Sequence, residues 1–207
     1  MKNMMNIDLP FPSIELKSTL DFIDGLTFTP VKTKYISNGW SAVSIQGYGN
    51  KTDDLLKPNV LGSKVENDEL VKTDLYHNEH LKPIVEIINQ IPSDTERIRL
   101  MKLSPKTTIL KHTDKVDKDF VKEKIVRIHV PLKSSDDVIY YFWNKGNKSS
   151  YTLPTKKYYY LDVRLPHSVK NQSDEDRINL VVDVFVNEKN KGFDLCLITS
   201  LKCRFHI

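Results

Sequence analysis

The stretch Arg97–Asp114, RIRLMKLSPKTTILKHTD, sets the frame for reading the rest of the chain. Charged and apolar residues alternate from Arg97 to Leu103, the period of a strand with two unlike faces. Ser104-Pro105 then turns the chain, and Thr107–His112 is again rich in β-branched residues. Two strands joined by a tight turn are predicted.

Working outward, further strands are predicted at 124–132, 138–143, 157–162 and 177–186, the last reading RINLVVDVFV. At least six strands, with turns and no helices between them, favour an antiparallel sandwich over a parallel sheet wound with helices. The expected fold is mainly β with flanking helices, in the form of a double-stranded β-helix, the cupin-like jelly roll.

The first half of the chain is less regular. Leu16, Leu20 and Ile23 recur at helical spacing and predict a helix over 13–26, with Ser13 as its cap. Aromatic and β-branched residues over 35–48 suggest two short strands around Asn38-Gly39, and 51–68 reads as loop. Leu81, Ile84, Val85, Ile88 and Ile91 predict a second helix, ended at Pro92.

The 207 residues fit one domain. Residues 1–95 are read as its helical and β N-terminal portion, 96–187 as the core carrying the site, and 188–207 as a tail. There is no repeat and no Gly/Ser linker, and the ten prolines are spread along the chain. An apolar fraction of 39% and a charged fraction of 28% are those of an ordinary globular protein, not of a disordered one.

The net charge of +4 comes from lysines scattered among acids, as in KVDKDFVKEK (115–124), so no nucleic-acid footprint is expected. No apolar run reaches the length of a membrane span, and the first residues lack a secretory-type apolar stretch; a cytoplasmic setting is expected. Cys196 and Cys203 read as free thiols.

His112 and Asp114 lie two apart in an extended segment, so their side chains point the same way and can approach one ion from adjacent directions. With His167 they supply two imidazoles and a carboxylate, the set that leaves three positions of an octahedral iron(II) ion open. Ten residues later Arg177 opens an alternating strand; its planar fork of donors suits the far carboxylate of a dicarboxylic cosubstrate. Arg127 and His129 share one face of VRIHVPL, which fits either a polar cavity or the solvated outside of a sheet.

Three segments together, RIRLMKLSPKTTILKHTD, VRIHVPL and YYYLDVRLPHSVKNQSDEDRINLVVDV, resemble in order and spacing the aspartyl/asparaginyl β-hydroxylase family of iron(II)- and 2-oxoglutarate-dependent oxygenases. The resemblance implies hydroxylation of an unactivated C–H with iron(II), 2-oxoglutarate and O2, releasing succinate and CO2. It implies His112, Asp114 and His167 as metal ligands and Arg177 as the partner of the distal cosubstrate carboxylate. Arg127 and His129 match the family's Arg-x-His, which helps hold the cosubstrate.

Two departures bear on the substrate. The animal enzymes that gave the family its name have glycine where this chain has Asp114, and a serine that touches the cosubstrate where it has Met101. The first places the chain nearer bacterial members that act on amino acids or their derivatives, so the expected substrate is a small-molecule or peptidyl amino acid. Asp162 could hydrogen-bond a metal ligand or steady a turn, and 115–124 could close over the site or be a solvated loop. Two other readings use the same residues: a non-catalytic cupin-like metal- or ligand-binding protein, and a cupin metalloenzyme that does not use 2-oxoglutarate.

Overall fold

A computed structural model describes residues 3–36, 38–58, 62–65, 68–114 and 125–185. The segment 115–124, the cysteines and His206 lie outside them. In chain order the elements are β1 (Met4–Ile7), α1 (Lys17–Asp24), β2 (Thr29–Pro30), β3 (Trp40–Gly47), β4 (Val71–Lys72), α2 (Asp74–His77), a 3-10 turn (Glu79–Leu81) and α3 (Lys82–Asn89). Then come β5 (Thr95–Leu103), β6 (Thr107–His112), β7 (Ile125–Lys133), β8 (Val138–Asn144), β9 (Asn147–Tyr151), β10 (Tyr158–Leu161), β11 (His167–Asn171) and β12 (Arg177–Phe185).

Two antiparallel sheets result. The larger runs β1-β10-β7-β12-β5-β3-β2, with β4 also on β3, and the smaller runs β6-β11-β8-β9. From β5 onward the chain alternates between the two sheets except at the β8–β9 hairpin, as in a jelly roll. The expected fold class is borne out.

The period-2 alternation decides what each face of the large sheet meets. Val126, Ile128 and Val130 of β7, Ile178, Leu180, Val182 and Val184 of β12, and Ile98 and Leu100 of β5 pack with Ile23 of α1 and with Ile84, Ile87 and Ile88 of α3. The other face turns toward the small sheet, where Leu103, Ile109, Val138, Tyr140, Phe142 and Val169 form a second core. That core does not fill the space between the sheets, and the remainder is a cavity of about 690 Å³.

Two local expectations are corrected, and two strands go unpredicted. The first helix starts at Lys17, its N-cap is Leu16 with no side-chain bond, and Ser13 lies upstream in a segment where Ile14 N–H already bonds Pro12 O. Asn38-Gly39 is not a hairpin turn: β3 pairs instead with β2, while Gly39 takes φ +78° and its carbonyl accepts from Ser104 N–H. A Cβ at Gly39 would lie 2.8 Å from Thr107 Oγ1, so glycine is required for the close approach to the β5–β6 turn. The short β1 and the hydroxyl-rich β9 escape sequence patterning. β9 forms because Lys145-Gly146, both at positive φ, make the two-residue turn that returns the chain along β8 with Asn144 opposite Asn147.

Candidate metal centre and oxyanion cavity

β6 and β11 are paired with His112 directly opposite His167, so the two imidazoles stand side by side with ring centroids 4.3 Å apart. Each is oriented by the same device. His112 Nδ1 donates to Leu110 O at 2.7 Å and His167 Nδ1 donates to Leu165 O at 2.9 Å, which fixes the proton on Nδ1 and leaves Nε2 free to ligate. Tyr35 stacks on His112 at 4.6 Å and Phe142 lies near parallel to His167 at 5.8 Å. Burial is the main reason the His167 pKa is lowered, which favours the neutral form a metal needs.

Asp114 follows β6 and is held by its own N–H, which donates to Val163 O at 2.9 Å. Its Oδ1 lies 3.5 Å from His112 Nε2, and one ligand atom each from His112, Asp114 and His167 fall within 4.8 Å of one another. The other oxygen, Oδ2, accepts from Arg127 Nη1 at 2.6 Å. One oxygen is thereby committed to the protein and one faces the histidines.

The polar face of β7 points into the cavity, not to solvent. Arg127 Nε also donates to Asp183 Oδ1 at 2.7 Å. Asp183 was not singled out by its sequence, yet it is fully buried and receives Arg97 Nη2 and Arg99 Nη2, each at 2.9 Å, on Oδ2. A shift of β12 against β5 between Val182 and Val184 brings this carboxylate beneath all three guanidiniums, a common use of a bulge beside a site. Burial alone would raise the Asp183 pKa; Arg127, Arg99 and Arg97 overcome that and hold it well below the usual carboxylate range. Burial, with Arg97 alongside, pushes Arg99 down to about 9.

At the other end of β12, Arg177 is buried and its guanidinium carbon lies 5.3 Å from the centre of the Tyr140 ring. Arg177 Nη2 donates to the Tyr140 hydroxyl, and the nearby acids pair elsewhere, Asp174 with Lys106 and Asp176 with Lys102. With its oxygen turned to them, the Asn179 amide accepts from His129 Nδ1 at 3.1 Å and from Arg177 Nη2 at 3.2 Å. Burial first, then Arg127 and Arg177, lower the His129 pKa well below its ordinary value.

Arg177 Nε, a donor, and His129 Nε2, the unprotonated nitrogen once Nδ1 donates to Asn179, are buried without a hydrogen-bond partner among the described residues. Such orphans are costly unless a ligand meets them, and these two line the same cavity as His112, Asp114 and His167. The donor set therefore fits an oxygen- and nitrogen-loving ion with three protein ligands, beside a pocket for an anion. Asp162 makes no hydrogen bond to His112 or His167; it pairs with Arg164 at 2.7 Å across a turn. Met101 sits with Ala42 and Val181 in an apolar patch, and Tyr140 was visible in the sequence only as one of several strand aromatics.

A jelly roll enclosing two histidines and a carboxylate beside an arginine-lined cavity is the construction of a metal-dependent oxygenase. The family model for Aspartyl/Asparaginyl beta-hydroxylase matches residues 15–186, and the chain belongs to that family. It is an iron(II)- and 2-oxoglutarate-dependent hydroxylase, with O2 as the second cosubstrate. A solved structure supports the fold, and others stand beside it. A prolyl hydroxylase from Trichoplax adhaerens, in complex with a hypoxia inducible factor oxygen degradation domain peptide fragment, is 12% identical with a TM-score of 0.52, covering 91% of this chain and 86% of that one. An oxidoreductase of the 2OG-Fe(II) oxygenase family from Burkholderia pseudomallei is 13% identical, TM-score 0.47, covering 81% of both chains. A Pseudomonas putida prolyl-4-hydroxylase is 10% identical, TM-score 0.47, covering 89% of this chain and 93% of that one. No curated protein matches the chain. Among the described residues no helix is long and apolar enough to cross a membrane.

Proposed function

We propose that His112, Asp114 and His167 hold the iron(II) ion, that Arg177 holds the distal carboxylate of 2-oxoglutarate, and that the substrate is a small-molecule or peptidyl amino acid. The observation that carries the assignment is the paired orientation of the two imidazoles. Two Nδ1–H groups committed to backbone carbonyls, with one carboxylate oxygen beside them, have no structural use that an apolar pair would not serve better. Iron(II) with its two cosubstrates supplies the oxidant for C–H hydroxylation, releasing succinate and CO2.

The remaining work belongs to the chain. Arg177, kept in place by Tyr140 and Asn179, offers a desolvated positive charge with a free Nε, and a charge-assisted bond there outweighs one in water. Tyr140 takes the polar role that Met101 cannot fill. Arg127 fixes Asp114 through one oxygen so that a single oxygen is presented to the metal. His129, whose pKa burial lowers well below its ordinary value, stands opposite Val181 on β12, between the levels of Arg127 and Arg177, and we assign it with Arg127 to cosubstrate orientation. The apolar patch of Ala42, Met101 and Val181 excludes water from one wall.

The test is anaerobic titration with ferrous iron and then 2-oxoglutarate, followed by absorption. A visible charge-transfer band is expected in the wild type and not in His112→Ala, and O2 then yields succinate. Failure of the band to form, or its survival in His112→Ala, refutes the assignment.

A further inference from the structure

Four guanidiniums, those of Arg97, Arg99, Arg127 and Arg177, line one cavity. Among the described residues two carboxylates hydrogen-bond them, Asp183 under the first three and Asp114 against Arg127, and Asp53 lines the same cavity beside Lys32, Lys57 and Lys64. Glu96 faces Arg97 Nε with Oε2 at 3.8 Å, beyond hydrogen-bond distance, while its Oε1 is held by Lys57 at 2.5 Å. A buried excess of positive charge is costly unless an anion answers it. Loading iron(II) and the doubly charged 2-oxoglutarate leaves that excess unchanged, since their charges cancel.

The excess is also in a different place from the cosubstrate clamp. Arg177 and Asp183 are six residues apart on one strand, roughly 20 Å between Cα atoms at about 3.3 Å per residue. Asp183 lies opposite Arg127, and Val181, two residues before it, lies opposite Arg99. Arg127, bonded to Asp114 and to Asp183, joins the metal end of the cavity to the Arg97–Arg99 pair.

Among the described residues Arg99 makes one hydrogen bond, from Nη2 to Asp183, and its Nε has no hydrogen-bond partner; Arg97 Nε has none either and meets the Glu96 carboxylate only at 3.8 Å. Asp183 takes one edge of each fork and so holds the pair in a fixed orientation at the cavity wall. Both side chains are buried and line the cavity. A planar carboxylate is the group that such a pair of forks recognises, and an amide in its place leaves donors unanswered.

We propose that Arg97 and Arg99, oriented by Asp183, form a subsite for a carboxylate of the substrate, so that the enzyme hydroxylates an acid and not its amide. This deepens the preceding assignment and rests on it. The carboxylate has two sources, the α-carboxylate of a free amino acid and the acidic side chain of a peptide.

The probes are the common L-amino acids, their α-carboxamides, and blocked peptides carrying Asp or Glu or the matching Asn or Gln. Each is added to the anaerobic iron(II)–2-oxoglutarate complex, and binding is read from the change in the charge-transfer band, with stimulated succinate release as second readout. The expected result is one acid that binds at least about 100-fold tighter than its amide. Arg99→Gln and Arg97→Gln each weaken that acid about 30-fold and leave the 2-oxoglutarate titration unchanged. A free amino acid as the responding probe assigns the α-carboxylate; an Asp or Glu peptide preferred over its Asn or Gln counterpart assigns the side chain. The acid–amide comparison needs no substitution, so a variant that fails to fold does not spoil it. Equal binding of acid and amide, or no response to any acid while the band forms normally, overturns the subsite and spares the metal assignment. Absence of the band overturns both.

Discussion

Replacing Asp183 with Asn removes the one charge shared by Arg97, Arg99 and Arg127 and changes the shape hardly at all. The carboxylate is fully buried and accepts four bonds, at 2.9, 2.9, 2.7 and 3.3 Å. Removing one partner of a buried ion pair costs about 3–5 kcal/mol, and Asn keeps a single acceptor for three cations. For a chain of this length, about 4 kcal/mol lowers Tm by roughly 10 °C. The pH dependence has a definite sign. The folded carboxyl is held well below the ordinary value by Arg127, Arg99 and Arg97 against the opposing effect of burial, so its stabilisation is complete above the unfolded pKa of about 4 and is lost as pH falls below it. Thermal unfolding of wild type and Asp183→Asn followed by circular dichroism should therefore show a constant gap between pH 5 and 8 that narrows in acid. Because Arg127 also steadies Asp114, iron(II) affinity should fall about 10- to 100-fold. A variant with unchanged Tm and unchanged metal affinity would show that the carboxylate does not organise the three arginines.

Arg177→Ala should raise the 2-oxoglutarate requirement by roughly 30- to 150-fold, the loss of a charge-assisted contact of about 2–3 kcal/mol, with iron(II) binding retained in calorimetry; an unchanged requirement places the clamp elsewhere. Tyr140→Phe removes the hydroxyl that Arg177 meets and should raise the same requirement about 10-fold, without altering the metal titration. Asp114→Gly, the pattern of the animal enzymes, should weaken iron(II) binding while leaving Arg127 tied to Asp183; equal iron(II) affinity in both proteins would remove Asp114 from the ligand set. Gly39→Ala should destabilise by at least about 1–2 kcal/mol, because φ +78° and Thr107 both oppose a Cβ; an unshifted denaturant midpoint would contradict this.

Much of the site was legible before the fold was known. The spacing of His112 and Asp114, and the ordered segments around His129, His167 and Arg177, were enough to name the chemistry, because metal ligation and carboxylate binding each demand particular side chains. Asp183 was not legible. In RINLVVDVFV it reads as one polar residue of an alternating strand, and nothing local tells whether that face meets water or a cavity. The same ambiguity covered Arg127 and His129, whose face could have been the outside of the sheet. Asp162 looked like a candidate partner for a ligand histidine because it precedes His167 closely, but the imidazoles turned to the carbonyls two residues upstream.

By itself the sequence determined the class of fold and the cast of chemical groups, since alternation with period two and the identity of ligating residues are local properties. Only the tertiary structure decided which faces turn inward, that His112 stands opposite His167, and that three arginines from β5 and β7 converge on one carboxylate of β12. Those relations depend on strand register across the sheets and on a bulge beside Asp183. They are set by packing between residues far apart in the chain, which no local pattern encodes.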